Sequence, residues 1–357
     1  MVRIFLIPRM KPIENYMKRA FELAHLGIGK VSPNPLVGCV IVKDGKIIGE
    51  GYHQQYGSAH AEVNAVNSVT NKADLKGSQV IVSLEPCNHH GLTPPCSEKL
   101  IDYEVGEVII ANIDPNPLVN GKGIERLKSA GVKVTTSVLA DEGKWLNRRF
   151  FTLINHKRPY IILKWAQTSD KFIAREDYSS KWISDEHSRK LVHKWRHEED
   201  AILVGTNTAK IDNPRLNVRD LNVGQPKQPT RVVIDKKLEL GSDLHLFNGD
   251  QTTICFNTLK DEEKGKVKHM ALPDNQHFEE ALLSKLAACK TQSLIIEGGS
   301  KTLNLFIQKG LWDEARIFTS PESFEKGVPA PDISGEIIFE NQVVQDTLTI
   351  LKNPNNG

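Results

Sequence analysis

The run Ser83-Leu84-Glu85-Pro86-Cys87-Asn88-His89-His90-Gly91-Leu92-Thr93-Pro94-Pro95-Cys96, downstream of His60-Ala61-Glu62, constrains this chain more than any other stretch. Two cysteines and a histidine suit zinc. Three ligands, His60, Cys87 and Cys96, leave one tetrahedral position for water, which is the arrangement of a catalytic site. Bound zinc lowers the pKa of that water from about 15.7 to roughly 7. Glu62, two residues after His60, is close enough to shuttle the proton without being a ligand. This is the His-x-Glu and Pro-Cys pattern of zinc deaminases that act on nucleobases. A structural zinc knuckle, or two unrelated buried cysteines, would leave the His-x-Glu pair unexplained. The commoner pattern has two residues between its cysteines, whereas eight separate Cys87 from Cys96. An inserted loop must therefore fold back to deliver the second thiolate.

At 357 residues the chain is long for one core, so two domains are expected. The polar stretch Asn155-His156-Lys157-Arg158-Pro159 sets the boundary, giving residues 1–156 and 157–357. A net charge of +2 and 6% aromatic residues supply neither a basic field nor a stacking groove, which argues against nucleic-acid and membrane binding. No run approaches the ~18 apolar residues of a membrane span. The apolar run Met1 to Ile7 is too short for a secretory signal, and Met10 is an alternative start. Cys39, Cys255 and Cys289 read as small buried hydrophobes, which fits a reducing cytoplasm better than a disulfide framework.

In the first half, helical spacing runs from Ile13 to Leu26 and stops at Gly27 and Gly29. Asp44-Gly45 joins two strands, Leu36 to Val42 and Lys46 to Gly51, as a hairpin. Glu62 to Val69 reads as a helix capped by Ser58. The strand Gln79 to Leu84 empties into Pro86-Cys87, and the prolines before Cys96 start a helix through Tyr103. Val105–Ala111 and Val132–Val138 are strands around a helix from Gly123 to Gly131. Helices alternating with strands predict an α/β layered domain on a mainly parallel sheet, with its ligands where open α/β sheets place their sites.

The second half reads as another α/β domain. Strands are expected at Tyr160–Trp165, Ala201–Val204, Arg231–Ile234, Gln251–Phe256 and Ser293–Ile296, with helices at Glu186–Glu198 and Leu303–Gln308. Gly205-Thr206-Asn207-Thr208 reads as a turn able to hold a cofactor. Gly298-Gly299, between a strand and a helix, is a place for a phosphate, though a left-handed turn also explains the pair. The GxGxxG dinucleotide fingerprint is absent after every predicted strand. The tail, Ser320 to Gly357, reads as a loop and then an edge strand, Asp346 to Leu351.

These motifs resemble a known family, the bifunctional riboflavin-biosynthesis deaminase–reductases. In the first half the resemblance rests on Ser32-Pro33-Asn34-Pro35-x-Val37-Gly38, Gly51-x-His53, His60-Ala61-Glu62-Val63 and Glu85-Pro86-Cys87-x-His89-x-Gly91-x-Thr93-Pro94-Pro95-Cys96. The long cysteine spacing is shared with that family. In the second half it rests on Lys164-x-Ala166, Ser180-Lys181-Trp182-Ile183, Ala201-Ile202-Leu203-Val204-Gly205-x-x-Thr208, Asp212-Asn213-Pro214-x-Leu216-x-Val218-Arg219 and Glu297-Gly298-Gly299.

The resemblance implies a cytidine-deaminase-like α/β/α domain followed by a dihydrofolate-reductase-like α/β domain. It implies one zinc on His60, Cys87 and Cys96, Glu62 as proton shuttle, and Asn34 and His53 on the pyrimidine. For the second half it implies NADPH against Ala166, Trp182, Thr208, Asp212 and the turn Gly299, Ser300, Lys301, Thr302, Leu303, Asn304 and Leu305. The substrate would face Lys164, Ser180, Arg196, Leu216, Arg219 and Glu297, with Arg196 and Arg219 clamping a 5′-phosphate. Lys236 and Lys237 are candidates for reading the NADPH 2′-phosphate. One departure is Lys171, where that family has glycine. The implied activity is two steps of riboflavin biosynthesis, a zinc-dependent deamination and an NADPH-dependent reduction of a small-molecule substrate by a homo-oligomer. A tRNA-type zinc deaminase with a C-terminal binding domain, and a non-catalytic zinc-stabilised module, are the alternatives.

Overall fold

A computed structural model describes residues 12–88, 95–179, 183–219, 221, 224 and 226–356. They form two compact units that divide after His156.

The first unit comprises α1 (Pro12–His25), β1 (Gly38–Lys43), β2 (Lys46–Tyr52), α2 (Ala61–Ser68), β3 (Gln79–Leu84), α3 (Cys96–Asp102), β4 (Glu107–Asn112), α4 (Lys122–Ser129), β5 (Lys133–Thr135), α5 (Ala140–Leu146) and α6 (Arg148–His156). Strand order is β2-β1-β3-β4-β5. The sheet is mixed, not mainly parallel. Asp44 and Gly45, both left-handed (φ 49° and 72°), turn β2 antiparallel to β1. The crossover through α2 then keeps β3 in the direction of β2, so β3 is antiparallel to the intervening β1, and only β3-β4 and β4-β5 pair in parallel. Side chains alternate across the sheet: Cys39, Ile41, Val80, Val82, Val108 and Ile110 pack in one core with residues of α2, α3 and α4. Val40, Val42, Ile81 and Ile109 pack on the other face with α1 and Leu146 of α5. Gly51 lets α2 lie directly on β2, because a Cβ there would overlap the Ala65 amide. Ser58 does not cap α2: His60 occupies that position without a side-chain bond, and the Ser58 hydroxyl donates to the Gln55 carbonyl. The stretch Asn155-His156, expected as linker, ends helix α6.

The second unit comprises β6 (Tyr160–Gln167), β7 (Phe172–Ala174), α7 (Glu186–Glu198), β8 (Ala201–Gly205), α8 (Thr206–Asp212), β9 (Thr230–Ile234), β10 (Thr253–Asn257), β11 (Glu262–Lys264), β12 (Val267–Ala271), α9 (Phe278–Ala288), β13 (Ser293–Ile296), α10 (Ser300–Gln308), β14 (Glu314–Thr319), β15 (Val328–Pro329), β16 (Glu336–Val343) and β17 (Asp346–Lys352). Its main sheet runs β11-β12-β10-β9-β8-β13-β6-β14-β17-β16. From β12 to β14 neighbouring strands are parallel, which brings their carboxyl ends to one edge. The expected edge strand is interior: β17 lies between β14 and β16, with Asp346, Leu348 and Leu351 buried, and β16 takes the edge. The expected turn at Gly205–Thr208 is the start of α8, and the helix expected from Leu303 begins at Ser300. Cys39 and Cys255 are buried, but Cys289 is exposed at the end of α9.

Lys171 holds the left-handed conformation (φ 63°) that glycine adopts freely. The turn is pinned by Asp170, whose carboxylate accepts from the Thr168 and Ser323 hydroxyls and the Phe324 and Glu325 amides. Lys171→Gly removes the Cβ clash at some cost in unfolded-state entropy, so a stabilisation of up to about 1 kcal/mol is expected. The midpoint of denaturant unfolding measures it; a lowered midpoint would show that the turn is unstrained.

Candidate active sites

In the first unit, three elements deliver the metal-ligating groups. His60 stands immediately before α2, Cys87 leaves the carboxyl end of β3, and Cys96 opens α3. Their ligand atoms lie within 4.8 Å of one another, with His60 Nδ1 3.5 Å from Cys87 Sγ and 3.3 Å from Cys96 Sγ. Tetrahedral zinc at ordinary Zn–S and Zn–N lengths requires N···S separations of roughly 3.5 Å. The trio therefore fits zinc. Glu62 is buried on the first turn of α2, its carboxyl within hydrogen-bonding reach of Cys96. Burial first, and then the Cys87 sulfur, push that carboxyl up to about 7 in the metal-free chain.

Asn34 and His53 join this cluster. The His53 ring meets that of His60 edge-on at 5.8 Å, and its Nδ1 lies 3.1 Å from the Ala59 carbonyl. A carbonyl only accepts, so Nδ1 carries the proton and Nε2 accepts from Asn34 Nδ2 at 3.1 Å. Desolvation lowers the His53 pKa, which favours this neutral tautomer. The loop bearing Asn34 is clamped by Asn147, whose side chain accepts from Leu36 N (2.8 Å) and donates to Leu36 O (2.9 Å).

Glu85 plays a part that no motif announced. Its buried carboxylate accepts from four backbone amides: Gly123 (3.0 Å) and Ile124 (3.3 Å) on one oxygen, Gly121 (2.9 Å) and Asp114 (3.3 Å) on the other. Gly123 lies against the Pro86 carbonyl, leaving no room for a Cβ. On the far side of Cys87, Ser97 N donates to the Cys87 carbonyl (3.1 Å) and Ser97 Oγ to Asn88 Oδ1 (2.9 Å).

The second unit holds a cavity of about 1100 Å³ at the carboxyl ends of its parallel strands. Lys164 and Ala166 come from β6, Gly205 from β8, Asp235, Lys236 and Lys237 from the residues after β9, and Glu297 to Gly299 from those after β13. Open α/β sheets bind ligands at this edge, and the volume exceeds the usual ~300–1,000 Å³ of a single small-molecule site. Gly299 precedes α10 with φ −60°, so the glycine pair is not a left-handed turn. Close approach explains it instead, since a Cβ on Gly298 would press on the Thr302 side chain. Gly299 N donates to Thr208 Oγ1 at 2.8 Å, tying α8 to the start of α10. Ser300, Lys301, Thr302 and Leu305 also line the cavity, so a helix start, a lysine and hydroxyls converge where a dinucleotide phosphate would sit. The residues fit NADPH.

At the cavity wall, Arg196 of α7 grips Glu297 with Nε–Oε1 at 3.1 Å and Nη2–Oε2 at 2.7 Å. Burial alone would raise the Glu297 carboxyl, but Arg196 and then Lys164 hold it down to about 2. The side chains are only 12% and 10% exposed. Removing one partner of such a pair strands the other, so Glu297→Ala is expected to cost the second unit about 3–5 kcal/mol. Thermal unfolding of the variant tests this; an unchanged midpoint would mean that solvent already compensates both charges.

Several expected site residues lie elsewhere. The Leu216, Leu303 and Asn304 side chains do not line the cavity: Leu216 and Leu303 are core residues, and Asn304 Nδ2 donates to Ser300 Oγ. The fork of Arg196 is committed to Glu297, whereas Arg219 is exposed and lines the cavity, as Asp212 does. Ser180 and Trp182 fall outside the described residues. The sequence reading missed His193, buried and lining the cavity one helical turn before Arg196; that i, i+3 spacing was the available signal.

Residues 10–112 match the family model described as the cytidine and deoxycytidylate deaminase zinc-binding region, and residues 159–324 the RibD C-terminal domain. The riboflavin biosynthesis protein RibD of Aquifex aeolicus is 41% identical over 336 residues, 93% of each chain. That of Actinobacillus pleuropneumoniae is 41% identical over 325 residues, 86% of this chain and 83% of its own. The crystal structure of a diaminohydroxyphosphoribosylaminopyrimidine deaminase/5-amino-6-(5-phosphoribosylamino)uracil reductase from Thermotoga maritima superposes with a TM-score of 0.87 at 36% identity, covering 96% of this chain and 99% of that one. Likeness of this extent, running through both units, makes the chain a member of the RibD family of riboflavin-biosynthesis proteins.

Proposed function

We propose that this enzyme carries out two consecutive steps on one small molecule. Residues 1–156 hydrolyse the 2-amino group of 2,5-diamino-6-(5-phosphoribosylamino)pyrimidin-4-one, and residues 157–357 reduce the ribose of the product to ribityl phosphate. The convergence of His60, Cys87 and Cys96 beside Glu62 carries the first assignment. His60, Cys87 and Cys96 would hold zinc, which supplies a Lewis acid that makes water a nucleophile at neutral pH. Glu62 takes the proton of the attacking water and returns it to the departing amine, so water enters and ammonia leaves. Asn34, oriented by neutral His53, recognises the pyrimidine edge.

In the second unit, the groups lining the cavity from Thr208 to Gly299 and the start of α10 would hold NADPH, which supplies the hydride. Opening the ribose also needs a proton on the ring oxygen. Glu297 is held ionised and Arg196 is permanently charged, whereas burial pushes Lys164 toward releasing its proton. Lys164 is the proton carrier in this reading. Asp212, expected against the cofactor, is exposed at the end of α8. In this reading Arg219, which lines the cavity, binds the 5′-phosphate, and the lining residues Lys236 and Lys237 read the 2′-phosphate of NADPH.

Among the described residues no helix is long and apolar enough to cross a membrane. The free cysteines and the use of NADPH suit a reducing, cytoplasmic compartment. Strand β16 is an edge with Ile337, Ile338 and Phe339 exposed, which suits pairing with a second copy in a homo-oligomer.

Anaerobic incubation with the diaminopyrimidine nucleotide, following ammonia and NADPH separately, tests the two-step reading. Ammonia should appear without NADPH, and NADPH should be consumed only after it. Ammonia released from RNA but not from the free nucleotide would favour a nucleic-acid deaminase instead.

A further inference from the structure

The geometry points to Glu85 as a positioning residue for the zinc ligand Cys87, coupling the start of α4 to metal affinity. The inference rests on the zinc reading above and extends it to a residue outside the ligand set. Gly121, at the N-cap of α4, has no side chain with which to satisfy the first amides of that helix. Glu85 supplies that cap from the residue after β3. Its two oxygens gather amides of Asp114, Gly121, Gly123 and Ile124, between 29 and 39 residues further on. The fixed carboxylate lies two residues, at most about 7 Å of chain, before Cys87. The intervening Pro86 has a restricted φ and its carbonyl abuts Gly123. Little freedom remains in the backbone that aims the Cys87 sulfur.

The four-donor arrangement makes an isosteric test demanding. Each oxygen receives two amides, so whichever way a glutamine amide is turned, its NH2 group faces two N–H donors. In full-length Glu85→Gln, zinc affinity measured by competition with a chromophoric chelator should fall about 10- to 100-fold. The thiolate-to-metal absorption of the Co2+-substituted chain should change with it. NADPH oxidation with the deaminated substrate should stay at the wild-type rate, reporting that the second unit is folded. Wild-type zinc affinity and Co2+ spectrum in this variant would overturn the proposal.

Should the variant leave the first unit unfolded, the wild-type chain decides. Coupling is reciprocal, so loading zinc should raise hydrogen-exchange protection at Gly121, Gly123 and Ile124 more than at Met17 and Phe21 of α1. Equal change at both places would reduce Glu85 to a fold-holding residue and refute its link to the metal. Absence of zinc binding by folded wild-type chain would instead refute the zinc reading itself.

Discussion

Glu62→Gln is expected to lower the rate of ammonia release by about 10²–10⁴ while zinc content remains one per chain. The loss follows from position. Glu62 sits on the first turn of α2, one residue beyond the Ala61 that follows His60, and its carboxyl reaches Cys96 without joining the ligand trio. Glutamine keeps the size of the side chain and one acceptor oxygen but carries no proton between water and amine. Metal content by atomic absorption and initial rates of ammonia release separate the two roles. Loss of both together would make Glu62 a structural partner of the site. Retained deamination would place the proton shuttle elsewhere.

Lys164→Met should produce a loss of similar size, about 10²–10⁴ in the rate of NADPH oxidation, with deamination by the first unit untouched. Methionine keeps the length and apolar stem of the side chain and removes its proton. NADPH affinity, read by fluorescence titration, should change little, because the variant alters the charge beside Glu297 and not the start of α10. A weakened NADPH affinity with unchanged turnover would identify Lys164 as a cofactor-binding group. The pH profile carries a sign. Burial lowers the Lys164 pKa below 10.5, against the attraction of Glu297. The proton-bearing form is therefore lost as pH rises through this lowered value, and reduction should decline on the alkaline side before an ordinary lysine titrates. Glu297, held down to about 2, stays ionised across the neutral range and contributes no limb there.

What the sequence reveals about these sites follows the range of the interactions. The Asp44-Gly45 hairpin and the helix Glu186–Glu198 depend on neighbours in the chain, and both are present as read. The ligand set was legible because zinc chemistry restricts residue type, even with eight residues between the cysteines. Glu85 was not, since its donors lie 29 to 39 residues away and are backbone groups with no signature. Nor was the Asn147 clamp on Leu36, which spans 111 residues. At the glycine pair the left-handed alternative does not hold, since Gly299 has φ −60° and Gly298 lies against Thr302, while both glycines line the cavity. Local pattern misled at Asp346–Leu351, where alternation marked a strand but could not say that Glu336–Val343 would cover its outer side. Leu216 and Leu303 carry family positions near the cavity yet are buried in the cores behind it.

One spectrum bears most directly on the metal centre that organises the first unit. Zinc K-edge absorption of the zinc-loaded chain should show two sulfur neighbours near about 2.3 Å and two nitrogen or oxygen neighbours near about 2.0 Å. That shell corresponds to Cys87, Cys96, His60 and one exchangeable solvent position. Four sulfurs, or none, would contradict the account.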